Sequence, residues 1–157
     1  MSATVQVSDA PAARITGFFH AGVTVKDMET SLRFYRDGLG LEIVEERDTS
    51  GTAWDVWNLQ GDYTKVRFLA VPNTDVIIEL FEFVGLERHS ASARPCDYGA
   101  GHFCLYTDDT AAVYARMQAL GFGGRSDVIT LTSGPHAGRK IVYLIDPDGY
   151  HVEIYER

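Results

Sequence analysis

The strongest constraint on what this chain can become is an internal repeat. Read for apolar alternation and helical spacing, residues 15–83 run strand, helix, then three strands, and residues 99–157 run through the same order again. The first unit opens with "ITGFFHAGVTV", a β-branched and aromatic strand. A helix follows, with Asp27 placed to cap it, Met28, Leu32 and Tyr35 at helical spacing, and Gly38 and Gly40 to stop it. "LEIVEERD", "KVRFLAVP" and "DVIIELFEF" read as strands, the last two turning at Pro72-Asn73-Thr74. "GTAWDVWNLQGDY" between them reads either as a short helix or as an aromatic lid. The second unit is "GHFCLYTDD" (strand), "DTAAVYARMQALG" (helix ending at Gly121), then "SDVITLTS", "RKIVYLI" and "YHVEIYER" (strands). His20 stands seven residues before Asp27, and His102 seven before Asp109. Ile-Glu-Leu-Phe-Glu at 78–82 answers Val-Glu-Ile-Tyr-Glu at 152–156.

Each unit therefore carries a His in its first strand and a Glu inside its last. A carboxylate on a covered strand face is costly unless something pairs with it. Ile77, Glu79 and Phe81 form one face of their strand and Val76, Ile78 and Leu80 the other, so both faces are expected to be covered. On the last strand His151, Glu153 and Tyr155 share a face. One such Glu is ordinarily a surface residue, and one His is ordinarily a satisfied ring. Four at equivalent places in a repeat converge in one cup if the halves pair about a pseudo-two-fold axis. Imidazole nitrogen and carboxylate oxygen suit Zn, Fe, Mn, Co or Ni.

Composition narrows the class further. The 157 residues suit one domain or two small modules sharing a core, and an apolar share of 45% is enough to build one. A net charge of −8 argues against nucleic acid as a partner. No apolar run is long enough to span a membrane. Residues 1–13 lack the pattern of a signal peptide and read as a flexible tail. Cys96 and Cys104 show no metal or redox spacing, and a cytoplasmic setting is expected.

"FFHAGVTVKDMETSLRFYRDGLGLEI", "VIIELFE", "GHFCLYTDD" and "DPDGYHVEIYE" together resemble the vicinal oxygen chelate superfamily, which includes glyoxalase I, methylmalonyl-CoA epimerase, extradiol dioxygenases and bleomycin-binding proteins. The resemblance implies an α+β fold. Two βαβββ modules, 14–83 and 99–157 joined by a loop over 84–98, form a curved, cup-like mixed sheet with helices on the outer face. It implies a divalent metal held by His20, Glu79, His102 and Glu153, and a homodimer.

Three chemistries follow from that resemblance. In the first, four protein ligands leave two positions for a substrate with vicinal oxygens. Glu153 or Glu79 then moves a proton by way of an enediolate, as in a glyoxalase-like lyase or isomerase. In the second, His20, His102 and Glu153 form the Fe(II) triad of an extradiol ring-cleaving dioxygenase. The string "GPHAGRKIVYLIDPDGYHVE" resembles that family's signature and places His136 and Tyr143 near substrate. In the third, the site binds a small molecule without turnover, as bleomycin-resistance proteins do. Arg67, Trp57, Phe81, Tyr106 and Tyr155 are the expected substrate contacts, with Arg67 meeting an anion and the aromatics walling the pocket. Where glyoxalase I carries its glutathione-binding Arg and Asn, this chain has Thr24 and Phe83.

Overall fold

Two aspartates start the two main helices in the same way. Asp27 accepts a 2.8 Å hydrogen bond from the Thr30 amide, and Asp109 a 3.0 Å bond from the Ala112 amide. Each satisfies an amide that the first helical turn leaves without a partner. The computed structural model describes residues 13–51, 54–91 and 93–157. The tail expected over 1–13 therefore lies almost wholly outside the described residues.

The first half runs β1 (His20–Thr24), α1 (Met28–Leu32), a wider π turn (Arg33–Gly38), β2 (Glu42–Thr49), a 3-10 turn (Asp55–Trp57), β3 (Tyr63–Ala70) and β4 (Ile77–Val84). The second runs β5 (His102–Thr107), α2 (Thr110–Ala119), β6 (Gly123–Gly124), β7 (Ile129–Thr130), β8 (Lys140–Ile145) and β9 (His151–Glu156). Each half closes its own mixed sheet: β1-β4-β3-β2 in one, and β5-β9-β8-β6 with β7 also on β8 in the other. In each, the first strand lies parallel to the last, and the remaining pairings are antiparallel. This is the expected α+β fold of two related modules.

The strand expected over "SDVITLTS" is reduced to the short β7, and the short β6 lies just before that segment. Gly124 explains why: a Cβ there would sit 2.8 Å from the Tyr143 carbonyl oxygen, so the chain hugs β8 and then leaves it. Helix α1 does not continue as a regular helix but widens into the π turn. Gly40 and Gly121 take positive φ beyond the helical segments of their halves, at 78° and 87°, a conformation that an L side chain resists.

The helices pack between the halves. Val23, Leu69, Ile78 and Leu80 of the first sheet and Val142, Leu144, Val152 and Ile154 of the second join Met28, Leu32, Phe34, Tyr35 and Met117 in one buried cluster. The Phe34 and Phe122 rings meet edge to face at 5.2 Å. Tyr35 donates a buried 2.8 Å hydrogen bond to Asp146 across the junction. The repeated Glu-x-x-Glu pattern, at 79–82 and 153–156, gives each last strand two carboxylates on opposite faces. The second of each pair serves this core. Glu82 accepts from the Met28 amide at 2.7 Å and pairs with Lys65 at 2.9 Å. Glu156 accepts from the Thr110 amide and pairs with Lys140 at 3.4 Å. Both place negative charge at a helix start, where it is favourable. Among the described residues no helix is long and apolar enough to cross a membrane.

Candidate functional site

The first carboxylate of each pair points to the face away from the helices. Strand register fixes its neighbours. Glu79 stands opposite Gly22 and Phe68, and Glu153 opposite Cys104 and Tyr143. His20 lies two residues before Gly22, and His102 two before Cys104, on the same faces. The result is a His–Glu pair on each sheet. His20 Nε2 lies 2.8 Å from Glu79 Oε2, and His102 Nε2 lies 3.1 Å from Glu153 Oε2.

The surroundings differ. Glu79 is only 4% exposed, and burial raises its pKa against the pull of His20 and, more weakly, Arg47. The His20 ring packs edge-on to Phe19 and Phe68, and its Nδ1 is buried with no hydrogen-bond partner. Nε2 is therefore the ring nitrogen that meets a partner, the Glu79 carboxylate. Around this pair a cavity of about 500 Å³ is walled by Arg47, Thr49, Val56, Trp57, Thr64, Val66 and Phe81. The 3-10 turn acts as its lid, with Trp57 packed on Phe81 and Phe83. On the second sheet Tyr143 donates a 2.9 Å hydrogen bond to Glu153, and its oxygen lies 3.2 Å from His102 Nε2. Burial and then the Glu153 contact push the Tyr143 phenol up to about 12. Burial and then the Glu153 charge push the Cys104 thiol up to about 11, so it stands there protonated.

The expected site residues are distributed as follows. Trp57 and Phe81 wall the first cavity. Tyr106 and Tyr155 meet at 6.0 Å on the second face, and His136 sits edge-on to Tyr155 at 5.7 Å. Tyr143 bridges the second pair. Arg67 is the correction. It stands opposite Leu80, on the helix-side face, where it pairs with Glu46 at 2.8 Å and Asp48 at 3.4 Å. The strand alternation that sets Val66 and Phe68 toward the cavity necessarily turns Arg67 away. Arg47 faces the cavity and was not anticipated: the register shift between Ile43 and Glu45 sets Ile43 against the core and Arg47, of the same parity, toward the cavity. His151, buried and accepting from Arg125 at 2.8 Å, is a second residue missed, although it shares a face with Glu153.

A divalent cation fits these donors in part. The 2.8 and 3.1 Å separations match neighbouring positions on a six-coordinate ion, about 3 Å apart for bonds of about 2.1 Å. Among the described residues no three ligating side chains cluster. The four residues come together as two His–Glu pairs, one on each sheet, rather than as one group.

Comparison with known proteins agrees with this architecture. The chain is 29% identical over 141 residues to a 2-epi-5-epi-valiolone epimerase from Actinomyces, covering 86% of this chain and 76% of that protein. It is 29% identical over 160 residues to a lactoylglutathione lyase from Schizosaccharomyces pombe, covering 94% of this chain and 48% of that protein, so it spans about half of that relative's length. The fold matches a glyoxalase family protein from Bacillus cereus with a TM-score of 0.79 at 14% identity, over 92% of this chain and 96% of that one. With residues 17–154 matching its family model, the chain belongs to the Glyoxalase/Bleomycin resistance protein/Dioxygenase superfamily.

Proposed function

We propose that this protein is a glyoxalase-like lyase or isomerase. In this reading it moves a proton on a small substrate with two adjacent oxygens, at a site where His20, Glu79, His102 and Glu153 hold a divalent cation. The observation that carries the reading is the pair of His–Glu contacts at one strand register in both halves. When bound, the cation supplies Lewis-acid polarisation of the two substrate oxygens. The chain's own side chains orient and shield. Trp57 and Phe81 give the substrate an apolar wall, the lid limits water, and Tyr143 holds the Glu153 carboxylate in place. One of the two carboxylates takes the substrate proton and returns it, as general acid–base catalysis requires. Relatives named as an epimerase and as lactoylglutathione lyases support proton-transfer chemistry. Thr24 and Phe83 stand where glutathione would be gripped, and Phe83 is occupied with Trp54 and Trp57, so a compact substrate is favoured over a glutathione adduct.

Because one chain keeps its pairs on separate sheets, the full ligand set is completed by a second copy, the first sheet of one facing the second sheet of the other. Exposed Tyr106 and Ile129 give the second face an apolar surface for such a partner to cover. The experiment is complementation. His20→Ala and Glu153→Gln homodimers should each lose metal and activity, while their mixture should regain one intact site per mixed dimer. No recovery on mixing would refute the shared site. Ferrous iron with O₂ uptake on a catechol would replace the proton-transfer reading with the ring-cleaving one.

A further inference from the structure

We infer that Arg47 is an oxyanion-recognition residue, and that the ligand of the first cavity carries a carboxylate beside an apolar or flat body. The inference deepens the proposed function and rests on its reading of the His20–Glu79 face as substrate-facing. Arg47 stands opposite Val66 in the strand register, which puts its side chain on the cavity face with Glu79 and Phe81. It lines the cavity, and it is the one Lys or Arg among the residues that do. Its guanidinium lies 5.0 Å from the Phe68 ring centroid, close to the His20–Glu79 pair. Stacking on an aromatic face steadies the guanidinium while leaving its in-plane donors available.

The ion pair that Arg47 makes is with Glu45 at 3.3 Å, between side chains that are both about half exposed. Such a pair is worth little and is readily exchanged for a better partner. Val56, Trp57, Val66 and Phe81 give the wall its apolar part, and Thr49, Thr64 and the His20–Glu79 pair its polar part. On a chain of net charge −8 an anion gains nothing from the general field. Arg47 is the lining's Lys or Arg beside the Glu79 carboxylate, so an anionic ligand is selected at Arg47 itself, whose fork matches a planar carboxylate with two parallel hydrogen bonds.

The test compares benzoate with benzyl alcohol, which keeps the flat body and removes the charge. Binding is followed by Trp57 fluorescence and by ligand-observed NMR on the metal-free protein. Benzoate should bind the native chain and weaken about tenfold or more in Arg47→Met, with partial retention in Arg47→Lys. Benzyl alcohol should bind weakly and equally to all three. Glu45→Gln, which frees the guanidinium, should tighten benzoate. Thermal melts check that each variant is folded. Equal benzoate binding in native protein and Arg47→Met, or no benzoate binding to native protein at tens of millimolar, overturns the inference. Because the assay contains no metal, its outcome is separable from that of the complementation experiment.

Discussion

The two halves of this molecule carry the same donors in different walls. Position by position, strand register sets Phe68 against Tyr143, Gly22 against Cys104, Thr24 against Tyr106, Ile77 against His151 and Arg47 against Ile129. The His–Glu pair is common to both. The first half surrounds it with aromatic carbon and one guanidinium. The second offers a phenol and a thiol, both within reach of the carboxylate, and no cation at the matching place. A donor pair is set by register alone, since any two neighbouring strands deliver it. What a substrate meets depends on residues one strand further out, and there the halves have diverged.

The sharpest way to break this comparison is to remove one carboxylate at a time. Glu79→Gln and Glu153→Gln should each lower divalent-cation affinity by more than the roughly 100-fold that outer-shell groups reach. Calorimetric titration with Zn²⁺ or Ni²⁺ would check this, and an unaffected variant would show that its half is not a metal half. On the helix-side face, Glu82→Ala leaves the Met28 amide and Lys65 without a partner and should cost about 2–3 kcal/mol, as expected for hydrogen bonds to a charged group. Glu156→Ala, at longer distances and a more open site, should cost about 1 kcal/mol. Urea unfolding measures both, and equal costs would deny the asymmetry. Tyr35→Phe takes the hydroxyl from Asp146 Oδ2, while Oδ1 keeps the Asp148 and Tyr150 amides, and should cost about 1–2 kcal/mol by the same method. Tyr143→Phe makes the second half resemble the first at this position. It should weaken metal binding about tenfold by releasing Glu153, and metal titration would show it. The reciprocal Phe68→Tyr should change affinity least.

Much of this was legible in the residues. The repeat, the two Asp caps and the two glycine stops depend on local backbone chemistry, which acts within a turn of chain. Glu79 and Glu153 stood out because a charge inside an apolar strand needs a reason. Charge points Arg67 at an anion, but its parity on β3 sets it opposite Leu80. Counting alternation from Val66 turns it to the helix side, whereas Arg47 reaches the cavity only through the register shift between Ile43 and Glu45, which simple parity does not contain. The presence of β6 and the shortness of β7 go with how closely Gly124 approaches β8, a contact with no local signature.

Period and duplication in the chain were enough to specify two similar units, their helix starts, and a His and a Glu on one face of each. They did not specify whether those four side chains meet. That depends on how the helices of the two units interlock through Phe34, Phe122, Tyr35 and Asp146. This packing spends the buried faces of both sheets on one shared core and leaves the His–Glu faces on separate sheets. Contacts between residues 88 (122 − 34) and 111 positions apart obey shape and volume, and no periodicity in the chain encodes them.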